Sequence, residues 1–187
     1  MESLSLPPQV GHTNYRTIVI DPPWQYSQSL AKSAKTRGSA EKNYSTVTIE
    51  DLMAWKAPGA LADNDCQLWL WTTNSHLHHA FHLLETWGFT YKTMATWCKS
   101  QFGLGYWLRG QTEHVLLGIK GHPRSRLTGP HGAIGSHHST LIMAPRTRHS
   151  EKPECFLDMV ESISEPPRIE LFARRGRLGW DVWGHEI

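Results

Sequence analysis

An aspartate, two prolines and a tryptophan follow directly on a β-branched run in IVIDPPWQY, residues 18–26. The Asp21 carboxylate and the Pro22 carbonyl are two hydrogen-bond acceptors side by side. Pro22 and Pro23 have fixed φ and no N–H, so the loop is stiff and its carbonyls point where the loop directs them. Adjacent acceptors match the two hydrogens of an exocyclic amine, and the indole of Trp24 offers a face on which the attached base can stack. Taken alone, the four residues serve equally well as a loop in which Asp21 bonds neighbouring amides and Trp24 fills the core.

The elements around this loop must carry it to a sheet edge. Runs rich in β-branched, aromatic and aliphatic residues predict strands over 16–20, 66–73, 90–98, 114–120 and 168–172. Leu77, Phe81, Leu84 and Trp87 recur at three- and four-residue spacing and predict a helix capped by Asn74 or Ser75 and stopped by Gly88. A second helix opens at Thr48, and a third has Pro153 in its first turn. Strands alternating with helices predict an α/β fold with a mainly parallel central sheet flanked by helices. In such sheets ligands lie at the carboxyl ends of the strands, where Asp21 stands.

The 187 residues, 39% of them hydrophobic, are enough for one full core. One domain over 1–187 is expected, with 1–14 as a flexible lead. A formal charge of +2 gives no strongly basic field. The cations are bunched instead: Lys32, Lys35, Arg37 and Lys42; Arg124 and Arg126; Arg146 and Arg148; Arg174, Arg175 and Arg177. The stretches 27–43 and 122–149 read as long loops of the kind that form lids or binding surfaces. Three scattered cysteines without a CxxC pair indicate neither a disulfide framework nor a thiolate zinc site. His78 and His82 lie one helical turn apart, and His137 and His138 are adjacent, but no further ligands follow at zinc spacing, so no metal is expected. The opening MESLSLPPQV has no apolar h-region, and no stretch is long enough to cross a bilayer. The expectation is a cytoplasmic protein of a bacterial or phage-host cell, without a membrane partner.

Six stretches, in order, carry a family likeness: IDPPWQY; NYSTVTIEDL; LWLWTTN followed by WGFTYKTMATWCK; GYWLRGQTEHVLLGIKG; HSEKPE; and IELFARRGRLGWDVWG. Together they resemble the MT-A-seventy-like family of S-adenosylmethionine-dependent N6-adenine methyltransferases, in its small bacterial and phage form. The resemblance implies a Rossmann-like methyltransferase fold of permuted order, with the catalytic motif ahead of the main cofactor strand. It implies Asp21, Pro22, Pro23 and Trp24 as the catalytic motif, with Tyr44 flanking the base. Lys152 is implied at the carboxylate of S-adenosylmethionine. Asp21, Glu170, Phe172, Arg174 and Arg177 are implied near the cofactor, and His185 and Glu186 around its adenine or ribose. Relatives commonly carry His-Asn where this chain has Gly176 and Arg177, and Asn-Gln where it has His185 and Glu186.

The basic loops are the natural track for a nucleic-acid backbone, with Lys32, Lys35, Arg124, Arg126 and Arg146 as candidate contacts. The function implied is methyl transfer to adenine N6 in nucleic acid, DNA before RNA, on a single-stranded or flipped base. A homodimer is compatible with this. Three other readings stay open: an RNA methyltransferase, a catalytically silent nucleic-acid-binding partner, and the same chemistry on cytosine or a glutamine side chain.

Overall fold

The computed structural model describes residues 14–26, 46–103, 105, 107–124, 138–146 and 151–184. Its centre is β1 (Tyr15–Ile20), six residues of which five are buried. This apolar run is hydrogen-bonded on both sides, to β2 (Ala62–Thr72) and to β6 (Arg168–Leu171), both parallel to it. Strands covered on both faces need such a run rather than polar alternation.

The seven-stranded sheet has the order β5-β3-β4-β2-β1-β6-β7. β3 (Thr90–Cys98) and β2 flank β4 (Thr112–Lys120), which runs antiparallel to both. β5 (Leu141–Met143) and β7 (Asp181–Trp183) add parallel edge strands to β3 and β6. Four of the six ladders are therefore parallel, and the fold is Rossmann-like α/β. The direction of β4 has one large effect on the site. Its first residues, not its last, share the edge where β1, β2, β3 and β6 end.

Period two divides the side chains between two cores. Ile18, Ile20, Leu68 and Leu70 face α1 (Ile49–Ala54) and α3 (Leu77–Thr86), packing with Leu52, Leu83, Leu84 and Trp87. Val19, Trp69, Trp71 and Trp97 face α4 (Glu154–Ile163), packing with Phe156, Val160 and Ile163. Each such aliphatic side chain contributes about 1.5–3 kcal/mol by leaving water. The short α2 (Ala57–Leu61) leads into β2.

Thr48 caps α1 as its sequence predicts: Asp51 N–H donates to Oγ1 at 3.1 Å, and the hydroxyl donates back to the Asp51 carboxylate. Gly88, at φ 84°, takes the left-handed turn that ends α3. The structure departs from the sequence reading in three places. β5 lies within the stretch read as one loop, and β7 was unforeseen; three residues are too few to leave a periodic signal. Phe172 does not extend β6 but turns at φ 62°, bending the chain back at the strand's end. Finally, neither Asn74 nor Ser75 caps α3; the N-cap is His76, whose side chain makes no cap bond.

Candidate active site

Val19 of β1 faces α4, so Asp21, two residues on and one step past the strand, projects on that side at the carboxyl edge. Its own N–H is held by the Leu171 carbonyl of β6 at 3.3 Å. The rest of the motif is equally fixed. Trp24 N–H donates to the Pro22 carbonyl at 2.8 Å, Val47 N–H to the Pro23 carbonyl at 2.9 Å, and the Trp24 indole N–H to the Trp71 carbonyl at 3.2 Å. Two prolines leave few conformations for the loop to lose.

Lys152, just ahead of α4, places Nζ 2.7 Å from Asp21 Oδ2 and 3.4 Å from Glu113 Oε2. Glu113 opens β4 on the same face and is also paired with Lys99, just past β3. Four charges thus alternate along one edge, Lys99–Glu113–Lys152–Asp21, the two lysines lying over the Trp97 and Trp71 rings. Burial pushes the Asp21 carboxyl up, and Lys152 opposes this only in part. Burial pushes Glu113 up too, but its two lysines outweigh it and hold the carboxyl below the usual range. Lys152, which burial alone would discharge, is kept protonated by Asp21 and Glu113.

Glu170 of β6, the ladder partner of Val19, faces the same side. Burial, with Asp21 adding to it, raises its carboxyl to about 7. After the Phe172 turn, Arg174 comes within electrostatic reach of both Asp21 and Lys152.

The structure thus brings together Asp21, Pro22, Pro23, Lys152, Glu170 and Arg174 from the set read in the sequence. Others it moves. Trp24 is only 5% exposed, in the α1/α3 core, with one face stacked on His76 at 5.1 Å and 21°, so that face is not open to a base. The Phe172 ring packs between Trp55 and Trp183, each 5.3 Å away, and reaches the edge only through its backbone. Arg177 turns to α4, where its guanidinium bonds Glu154, Asp158 and Glu161. Three carboxylates along one helix hold that fork at α4. Arg124 follows the C-terminal end of antiparallel β4 and lines a cleft with Arg16, Asp65 and Glu165 at the opposite edge from Asp21. Arg146, after parallel β5, stands at the Asp21 edge. Lys32, Lys35, Tyr44, Arg126, His185 and Glu186 lie outside the described residues.

Sequence reasoning missed Glu113, Lys99 and His76 as members of the site. A signal existed for the first: Glu113 shares its β4 face with buried Val115, and a carboxylate on a core-facing register needs a cation. Among the described residues no group of three His, Cys, Asp or Glu side chains is placed to hold a metal, and no helix is long and apolar enough to span a membrane.

A mainly parallel α/β sheet with an acid on a proline-stiffened loop at its carboxyl edge defines the class: a Rossmann-like methyltransferase. The chain belongs to the MT-A70 family, whose model matches residues 15–186. It is 36% identical to the type II methyltransferase M.MunI of Mycoplasma sp., over 96% of this chain and 81% of that protein. It is 25% identical to the human N(6)-adenosine-methyltransferase catalytic subunit METTL3, over 92% of this chain and 28% of that protein. The probable N(6)-adenosine-methyltransferase MT-A70-like of Oryza sativa subsp. japonica is 26% identical, with this chain spanning 23% of its length.

Proposed function

We propose that this methyltransferase transfers a methyl group from S-adenosylmethionine to the exocyclic N6 of adenine in DNA. The observation that carries the reading is the pair of acceptors on one immobilised loop, the buried Asp21 carboxylate and the Pro22 carbonyl. Pro22 O already accepts Trp24 N–H and keeps a second lone pair for an amine hydrogen.

The N6 lone pair of adenine is delocalised into the ring, which makes it a weak nucleophile. Hydrogen bonds from N6 to Asp21 and Pro22 draw that pair toward sp³ character and aim it, so positioning and electrostatics supply most of the barrier lowering. The proton leaves after the methyl arrives, so Asp21 need not be a strong base. Its upward shift suits it to receive that proton, while Lys152 keeps its own.

Bound S-adenosylmethionine supplies an electrophilic methyl on sulfur. The donor set at the edge fits this group. Lys152 and Arg174 are cations for its carboxylate, and Glu170, with no hydrogen-bond or ion-pair partner among the described residues, is an acid for its ammonium or ribose hydroxyls.

The DNA reading is supported by the greater likeness to the type II methyltransferase than to the N(6)-adenosine-methyltransferases. The test is incubation with methyl-labelled cofactor and single-stranded DNA, duplex DNA or RNA, followed by nucleoside analysis. N6-methyladenine in DNA is expected. Label confined to RNA replaces the DNA reading with the RNA one, and label on cytosine, on protein or nowhere overturns the proposal.

A further inference from the structure

The turn between β2 and α3 spends its side chains in an unusual way. His76 is the N-cap of α3, a position where a side-chain acceptor for the helix's free amides is worth about 1 kcal/mol, yet its ring makes no such bond. The ring instead reaches across the chain to the catalytic loop. Nε2 lies 3.0 Å from the Gln25 carbonyl, which can only accept, so Nε2 carries the hydrogen. Nδ1 then accepts, and two hydroxyls, Thr73 Oγ1 and Ser75 Oγ, each stand 3.1 Å from it. One face of the imidazole stacks on Trp24, and Tyr26 meets the ring edge-on at 4.8 Å. Ser75, well suited to cap α3, thus orients His76 instead. At only 7% exposure the imidazole is held by Trp24, Gln25 and Tyr26 of the loop and by Thr73 and Ser75 of the turn, with the His79 ring of α3 6.4 Å away.

We propose that His76 is a positioning residue for methyl transfer, a clamp that ties residues 24–26 to the end of β2 and thereby holds Asp21 and the Pro22 carbonyl in register for the acceptor amine. Its catalytic consequence rests on the function proposed above; the clamp itself does not. The lever is short: the Gln25 carbonyl that His76 holds belongs to the residue next to Trp24, whose backbone N–H is bonded to Pro22 O. The single lone pair of Nδ1 takes one of the two hydroxyls, and the two hydroxyls bond each other at 3.1 Å. Among the described residues, the charges bearing on the ring are the His78 and His79 imidazoles of α3, and the loop residues it meets are Trp24, Gln25 and Tyr26. Burial favours the neutral form, the bond to Gln25 opposes it, and the His79 and His78 imidazoles add to the effect of burial.

Two variants separate ring from nitrogen. His76→Phe keeps an aromatic against Trp24 and Tyr26 but cannot hold Gln25, and His76→Ala removes both contacts. With cofactor and nucleic acid saturating, kcat is expected to fall about tenfold in His76→Phe and on the order of a hundredfold in His76→Ala, as misplacement by an ångström does, with the cofactor Kd changed less than twofold. A second readout needs no activity: hydrogen exchange at the Trp24 and Val47 amides speeds at least about tenfold in His76→Ala, while Ile18–Ile20 exchange is unchanged. A folded His76→Ala protein with unchanged Trp24 and Val47 exchange, or with kcat within twofold of wild type, overturns the clamp. Faster exchange in a protein whose wild type methylates nothing overturns the proposed function and leaves the clamp standing.

Discussion

Lys152 Nζ lies 2.7 Å from Asp21 Oδ2, and 3.4 Å from Glu113 Oε2, so one buried ammonium separates two carboxylates. Removing it leaves Asp21 without its ion-pair partner and Glu113 with Lys99 alone, at carboxylates only 13% and 16% exposed. Lys152→Met is expected to cost about 3–5 kcal/mol near pH 7, the usual penalty for orphaning a buried charge. The cost shrinks at pH 5, where protonation relieves the repulsion. Urea melts at the two pH values check this, and an equal loss at both would show that the lysine is not the neutralising partner.

Asp21→Ala is expected to lower transfer by at least about a hundredfold, in line with removing one preorganised polar group from a reacting centre. Cofactor affinity, measured calorimetrically, should change little by comparison, because Lys152, Arg174 and Glu170 remain. Robust methylation by the folded variant refutes the proposed role.

Glu170 sets a pH signature. Its folded carboxyl sits at about 7 against an ordinary 4.5. The folded state therefore binds the proton more tightly than the unfolded chain. The stability this group contributes is complete below pH 4.5 and is lost as pH rises through 7. Glu170→Gln, which cannot ionise, should gain about 2–3 kcal/mol over wild type between pH 5 and pH 8. Parallel stability curves for the two proteins would contradict the buried placement.

Arg177→Ala tests the reassignment of that residue to α4. Loss of its bonds to Glu154, Asp158 and Glu161 should lower stability by about 1–2 kcal/mol, a modest sum for partly exposed pairs. Cofactor Kd should stay within twofold. A tenfold weaker Kd with unchanged melting would return Arg177 to the cofactor.

The two edges of the sheet predict different responses to salt. If Arg146 contacts a phosphate, Arg146→Ala reduces the slope of log affinity against log salt by about one. Arg124→Ala, at the opposite edge, leaves the slope unchanged. Equal effects from both would mean that the nucleic acid wraps past the catalytic edge.

Much of this was legible in the chain. β-branched runs marked five of the seven strands, because each is long enough for its burial pattern to repeat. Thr48, Gly88 and Pro153 marked helix ends through local chemistry alone. Asp-Pro-Pro-Trp marked the end of β1, because two prolines break a strand just past the acid that follows it.

What the sequence could not carry depends on strand direction and on competition between partners. β4 runs antiparallel, which brings Glu113 to Asp21 and takes Arg124 away from it. Which arginine stays near Asp21 is decided by competition: α4 offers three carboxylates to Arg177 and leaves Arg174 within electrostatic reach of Asp21. That His76 abandons the helix it begins in order to grip the catalytic loop is equally a matter of tertiary packing, since Gln25 and His76 are neighbours only once β1 and β2 are paired.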